Sequence, residues 1–250
     1  MIIAIIQARM GSVRLPNKVM KKVCDKPLIG CLLARVSKSK FIEKLILATS
    51  VSVNNDSLVT YVESLGFDVF RGSEQDVLKR FYLASQKYKA STVIRITGDC
   101  PFVDPNLIDS LIEEYFKSGA DYASNTLPPT YPDGLDVEVF SFSSLKRAHE
   151  NAIILSDREH VTQYIRNSGQ FRIYNKFNEI DFSNSRWTLD EIDDFEVVSN
   201  VFEYFFPDVF FSWEDILRLE VECPDLFLKN KHIRRNEGAI LTDQEKLKKR

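Results

Sequence analysis

The chain has 250 residues, 44% hydrophobic and 28% charged, a balance that fits one large or two small globular domains with a sizeable core. Its formal net charge of -3 excludes a global pull toward nucleic acid or an anionic membrane, so any anion site has to be local. Cys24, Cys31, Cys100 and Cys223 lack zinc spacing and read as reduced thiols of a cytoplasmic protein. Met1–Ile6 is too short for a signal sequence, and no run approaches the roughly 18 apolar residues that span a bilayer.

IIAIIQ (2–7) is a continuous β-branched run and reads as a buried strand. PLIGCLLARVSKS (27–39) has helical spacing, and KLILAT (44–49) is a second strand. NNDSLVTYVESLG (54–66) is a helix closed by Gly66. FDVFRG (67–72) is a third strand and SEQDVLKRFYLASQKY (73–88) a helix. STVIRITGD (91–99) is a fourth strand. DPNLIDSLIEEYFKSG (104–119) is a helix with Asp104 as N-cap and Pro105 in the first turn, and ADYASN (120–125) a short fifth strand. The alternation predicts parallel βαβ units in an α/β fold, with a mostly parallel central sheet and helices on both faces. Ligands of such sheets bind beyond the carboxyl ends of the strands, which singles out the loops after Ile6, Thr49, Phe70, Thr97 and Asn125.

The second half is less regular. PPTYPDGLDVEVFS (128–141) reads as a turn-rich loop and an alternating strand, and SFSSLKRAHENAI (141–153) and SDREHVTQYIRNS (156–168) as helices. RWTLDEIDDFEVVSNVFEYFF (186–206) runs from a strand end into an acidic helix start, and SWEDILRLEVECP (212–224) is a last helix. The reading gives a single domain over 1–228, with a regular half at 1–125 and a less regular half at 126–228. From Lys229 onward eight Lys/Arg meet three acids and the apolar periodicity fades, so 229–250 reads as a basic tail, weakly ordered or bound by a partner.

Four stretches could carry chemistry. QARMGSVRLPNK (7–18) follows the first strand. Gly11 and Ser12 suit close approach of an anion, and Arg9, Arg14 and Lys18 supply charge; the alternative is a solvated basic loop. In TGDCPFVDP (97–105), Asp99 stands at the sheet's carboxyl edge as a candidate Mg²⁺ ligand or a turn cap, while Asp104 caps the helix. In RWTLDEIDDFEVV (186–198), Asp190 is equally an N-cap or the second carboxylate that a Mg²⁺ site needs. In YPDGLDVEVF (131–140), Asp136 and Glu138 share one face of a strand, either as substrate or metal ligands or as its polar outer side. DREHVTQYIRN (157–167) adds Arg158 and a mid-helix His160, a structural histidine unless the fold gives it a ligand. HExxH zinc and a GxSxG hydrolase are both absent from the sequence.

Together IIQARMGSVRLPNKVM, VFRGSEQDVLKRF, VIRITGDCPFVDP, YPDGLDVEVF, DREHVTQYI and RWTLDEIDDFEVV resemble the spore-coat-polysaccharide-biosynthesis branch of the cytidylyltransferases, over roughly residues 1–200. That branch is similar to the CMP-Kdo and CMP-sialic acid synthetases, although IQARMGS stands where the Kdo enzymes have a Pro-Ala-Arg opening and TGDCP where they have Gly-Asp-Glu-Pro. The resemblance implies a nucleotide-diphospho-sugar transferase (GT-A-like) fold, with 1–125 as the nucleotide-binding half and 126–228 as the acceptor and dimerisation half, and a homodimer for which the apolar DVEVFSF strand (136–142) and the helices after it are the expected interface. It implies transfer of CMP from CTP to a sugar acid or related acceptor with release of pyrophosphate, in surface polysaccharide or glycan biosynthesis, with Mg²⁺ as cofactor. Arg9, Gly11, Ser12, Arg14 and Lys18 would hold the triphosphate, with Gln7, Ala8 and Arg71 completing the nucleotide site. Asp99 and Asp190 would hold the metal, and Arg14 and Lys18 would stabilise the leaving group. Asp136, Glu138, Arg158 and His160 are the residues expected on the acceptor side. A nucleotide-sugar-dependent glycosyltransferase, for which DGLDVE is a poor DxD, and a non-catalytic nucleotide-binding protein stay open as alternatives; nucleic-acid and membrane partners are not expected.

Overall fold

The computed structural model describes residues 1–235. In chain order it contains β1 (Ile2–Gln7), β2 (Lys22–Val23), β3 (Lys26–Pro27), α1 (Leu28–Val36), β4 (Lys44–Ser50), α2 (Asp56–Ser64), β5 (Asp68–Gly72), α3 (Val77–Lys87) and β6 (Thr92–Thr97). There follow α4 (Pro105–Ser118), β7 (Tyr122–Ser124), β8 (Glu138–Ser141), α5 (Phe142–Asn151), α6 (Leu155–Glu159), α7 (Gln163–Asn167), β9 (Ile173–Asn175), α8 (Ile192–Phe205) and α9 (Trp213–Glu222). Seven strands form the central sheet in the order β5-β4-β1-β6-β8-β7-β9. β1 pairs in parallel with β4 and β6, and β4 with β5; β8 runs antiparallel between β6 and β7, and β7 pairs in parallel with β9.

The first strand explains the layering. Its run is apolar throughout because both faces are covered: Ala4 and Ile6 pack against α1, α2 and α4, while Ile3 and Ile5 pack against α3, α5 and α7. A third cluster, built around the fully buried Trp187, joins α8 and α9 to the turn at Phe102 and to Leu135. It lies along the segment that carries Asp190. The expected caps form where predicted: Asp104 Oδ1 accepts from the amides of Asn106 and Leu107, with Pro105 opening α4.

Four expectations need correction. The helix over 156–168 breaks into two short pieces, because Val161 adopts a left-handed φ of 59° that ends one and redirects the next. Residues 186–190 make one isolated bridge from Arg186 to Asp133 rather than a strand end. DVEVFSF cannot supply an interface through its apolar side chains, since β8 is an interior strand with Val137, Val139 and Phe140 fully buried. The expected tail begins as docked chain: Asn230 and Ile233 are buried against the body, and residues 236–250 lie outside the described part. Among the described residues no helix is long and apolar enough to cross a membrane, and all four cysteines are free.

Candidate active site

The parallel strands end on one edge of the sheet at Gln7, Ser50, Gly72 and Thr97, where an open α/β sheet offers its ligand crevice. The loop leaving β1 is folded on itself. Met10 donates its amide to Asn55 Oδ1, Met10 O accepts from Ser12 and Asn17, and Ser12 Oγ accepts from Leu15. Leu15 is buried and anchors the turn. The next residue pair, Asn17 in the left-handed region and Lys18, aims the lysine back across the sheet edge. Gly98 lets the opposite loop come close, since a Cβ there would meet the Ala8 Cβ at 2.8 Å.

Lys18 Nζ lies 2.9 Å from Asp99 Oδ2 and 2.9 Å from Asp190 Oδ1. Two carboxylates 91 positions apart in sequence thus converge on one cation position. Asp99 is not a cap; Thr97 Oγ1 donates to its other oxygen. Asp190 is not the cap either: Glu191 and Asp194 form the capping box of α8, which leaves the Asp190 carboxylate for the lysine. Two further bonds weld the loops together, Leu189 N to Asp99 O at 2.8 Å and Thr188 Oγ1 to the same oxygen at 3.1 Å. Burial pushes Asp99 up, but Lys18 and the Thr97 hydroxyl pull it down to about 2. Burial likewise pushes Lys18 down, and the two carboxylates outweigh it and raise it. Asp99 and Lys18 are therefore both charged at neutral pH.

Arg14 reaches Asp190 at 3.1 Å and Glu191 at 3.3 Å from the exposed side. Arg186 stands behind, 3.7 Å from Asp190, and is forked onto the fully buried Asp194 at 2.8 and 2.9 Å and onto Asp133 at 3.1 Å. The turn presenting Asp133 requires Gly134: with φ of 106°, a Cβ there would meet Thr188 N at 2.6 Å.

Beside Thr97 opens a pocket of about 110 Å³ lined by Arg95, Thr97, Thr126, Asp136, Glu138 and Arg166. Asp136 and Glu138 share it, as their spacing predicts. Glu138 is saturated: it pairs with Arg95 and accepts from Tyr122 Oη at 2.6 Å and from Thr162 Oγ1. Arg166 is not, for its buried Nε has no hydrogen-bond partner among the described residues.

The remaining expected residues are placed differently. Gln7 Oε1 is taken by Arg95 at 3.0 and 3.2 Å, and Ala8 is buried under the loop. Arg9 is half-exposed and meets Glu74 at 3.7 Å. Nothing lies within 4 Å of a Cβ at Gly11, so no close approach within the chain demands glycine there. Arg71 turns away, donating to Ser50 O and Ser52 O and pairing with Asp56 at 2.7 Å. Arg158 is forked onto Asp76, the cap of α3, and does not line the pocket. His160 lies at the exposed end of α6, not mid-helix, and is also outside the pocket lining. Sequence reasoning missed Arg95, Arg166 and Arg186. Arg95 had a signal, a cation inside the apolar strand TVIRIT, and so did Arg186, the one Lys or Arg between Lys176 and Arg218 in an acid-rich stretch; Arg166 had none, since it is one cation among several in a polar stretch.

Residues 3–221 match the cytidylyltransferase family. The chain is 43% identical over 171 residues to the spore coat polysaccharide biosynthesis protein SpsF of Bacillus subtilis, covering 66% of this chain and 70% of that one. Its structure is similar to that of a cytidylyltransferase from Leptospira borgpetersenii, with a TM-score of 0.87, 30% identity and coverage of 90% and 96%. It shares its fold with a CMP:2-keto-3-deoxy-manno-octonic acid synthetase solved with CTP, with a TM-score of 0.62, 17% identity and coverage of 81% and 98%. A family match across nearly the whole described chain, over a sheet edge where a lysine bridges two carboxylates, makes this protein a member of the cytidylyltransferase family of nucleotidyltransferases.

Proposed function

We propose that the protein transfers CMP from CTP to a sugar acid or related anionic acceptor, releasing pyrophosphate, in surface polysaccharide or glycan biosynthesis in the cytoplasm. The observation that carries this reading is the convergence of Asp99 and Asp190 on Lys18, flanked by Arg14 and adjoining a pocket with an unsatisfied arginine. The two carboxylate oxygens fit a hard divalent cation, which takes one or two protein carboxylates and completes its shell with phosphate and water. Asp99 and Asp190 would hold Mg²⁺, which when bound supplies positive charge to the phosphoryl oxygens.

The chain's own groups divide the remaining work. A triphosphate at this edge would draw the Lys18 ammonium from the carboxylates toward its β- and γ-phosphates, with Arg14 and Arg9 beside it. The acceptor hydroxyl attacks the α-phosphorus and gives up its proton to solvent, a new P–O bond forms, and the bond to the bridging oxygen breaks, leaving charge on pyrophosphate where Lys18 and Arg14 stand. Asp99, held near 2, stays ionised and serves to hold cations rather than to carry a proton. Arg166 is the acceptor-side donor with capacity to spare, which favours an acceptor bearing a carboxylate. A homodimer completes the proposal; a solution mass of twice 28.9 kDa would support it and a mass of 28.9 kDa would count against it.

The reaction is tested by pyrophosphate release with Mg²⁺, each of the four nucleoside triphosphates, and a panel of eight- and nine-carbon sugar acids. Release confined to CTP and one class of acid is the expected result. Absence of binding by any nucleotide would remove the assignment of the β1 loop.

A further inference from the structure

We propose that Arg235 is a positioning residue for the acceptor pocket, through which the segment 229–235 fixes the Asp136 wall and offsets its negative charge. The inference rests on the reading of the pocket as an acceptor site for an anion.

The segment is built into the fold. Asn230 is buried and donates to Arg186 O at 3.0 Å and to Asp194 Oδ1 at 2.9 Å. Ile233 is buried two residues before the arginine. Lys229 meets Glu196 at 3.4 Å and His232 meets Asp193 at 3.6 Å, so both flank α8. Arg235 then crosses to the opposite wall. Its Nη2 donates to Asp136 Oδ1 at 2.6 Å, its Nη1 to Tyr131 O at 3.2 Å, and its Nε stands 3.7 Å from Asp133 Oδ1. One guanidinium thus touches three residues of the turn 131–136.

The electrostatics explain what that contact does. Asp133, Asp136 and Glu138 crowd one wall. Glu138 is neutralised by Arg95 and Asp133 is shared with Arg186. Asp136 pairs with Arg235, and it lines the same pocket as Arg166. An anionic acceptor approaching Arg166 must pass this carboxylate. With Arg235 docked, the wall is close to neutral; without it, an unpaired carboxylate opposes the acceptor's charge. Burial and the neighbouring Asp136 push Asp133 up to about 7 even with both arginines present, which shows how crowded the acids are.

The test uses the full chain with Arg235→Ala, Arg235→Gln and Arg235→Lys. Hydrogen exchange of the amides of 131–136, measured with CTP and Mg²⁺, reports the positioning without needing the acceptor. Exchange should rise at least tenfold in the Ala and Gln proteins and return to within about threefold of wild type in the Lys protein. With the sugar acid that the panel identifies, the acceptor KM should rise about tenfold in Ala and Gln, with kcat and the CTP KM within about threefold, and Lys should restore it. Wild-type exchange in the Ala protein would overturn the proposal. So would raised exchange with an unchanged acceptor KM, because the arginine would then be merely structural. Failure of the wild type to bind CTP or turn over any acceptor would instead tell against cytidylyl transfer, and exchange would still decide whether Arg235 holds the turn.

Discussion

Replacing Asp99 by Asn is expected to lower Mg²⁺-dependent pyrophosphate release from CTP by on the order of 10³-fold, a loss of about 4 kcal/mol of transition-state stabilisation. Asn keeps the volume and can still take the Thr97 hydroxyl, so the loop should keep its place. The charge is what disappears. Lys18 would keep Asp190 at 2.9 Å and lose its second partner, and the pair of carboxylates that suits a divalent cation would be reduced to one. The thermal midpoint at neutral pH should fall modestly, because a carboxyl that Lys18 and Thr97 hold down to about 2 contributes stability there that Asn cannot supply. A protein that folds normally and releases pyrophosphate within tenfold of wild type would remove Asp99 from the reaction.

The second large effect is on stability. Arg186→Leu should cost about 3–5 kcal/mol in urea unfolding at pH 7, because it leaves the fully buried Asp194 without its cation and strips Asp133 of one of two arginines. The pH dependence gives the sign. Burial pushes Asp194 up, and the forked Arg186 overcomes this and holds it below the ordinary carboxylate value. In wild type that contribution is present above a pH of about 4 and is lost as the pH falls through the depressed value. In the Leu protein burial acts without the arginine, the Asp194 pKa rises, and the deficit should be largest at neutral pH and shrink on acidification. Equal midpoints at pH 7 would show that the Asn230 and backbone donors suffice for Asp194. Activity should fall as well, since Arg186 backs Asp190 at 3.7 Å.

The alternating half of the fold was legible because its physics is local. Ile3, Ile5, Ala4 and Ile6 must cover two faces, so the strand is apolar throughout, and Asp104-Pro105 or Gly66 mark helix ends by their own backbone preferences. Asp99, Asp190 and Lys18 could be singled out by strand-end position and by resemblance, but local pattern alone left Asp190 balanced between cap and ligand. The choice was made by Glu191 and Asp194, which close the capping box one residue later. What was not legible depends on contacts across long separations. Arg158 looks like an acceptor residue until Asp76, 82 positions earlier, takes its guanidinium. Arg235 looks like part of a solvated basic tail until Asp136, 99 positions earlier, is found beneath it. The break at Val161 carries no Gly or Pro to announce it, and β-branched residues seldom adopt a left-handed φ, so the single helix was the natural reading.

In the proposed reaction Asp99 and Asp190 form the cation site over which the triphosphate sits and from which Lys18 withdraws. It is tested most directly by anomalous scattering from Mn²⁺ in crystals grown with CTP. One manganese peak is expected about 2.1 Å from a carboxylate oxygen of both aspartates, with the Lys18 ammonium moved onto the phosphates. Manganese bound elsewhere, with Lys18 still bridging the two carboxylates in the presence of CTP, would contradict it.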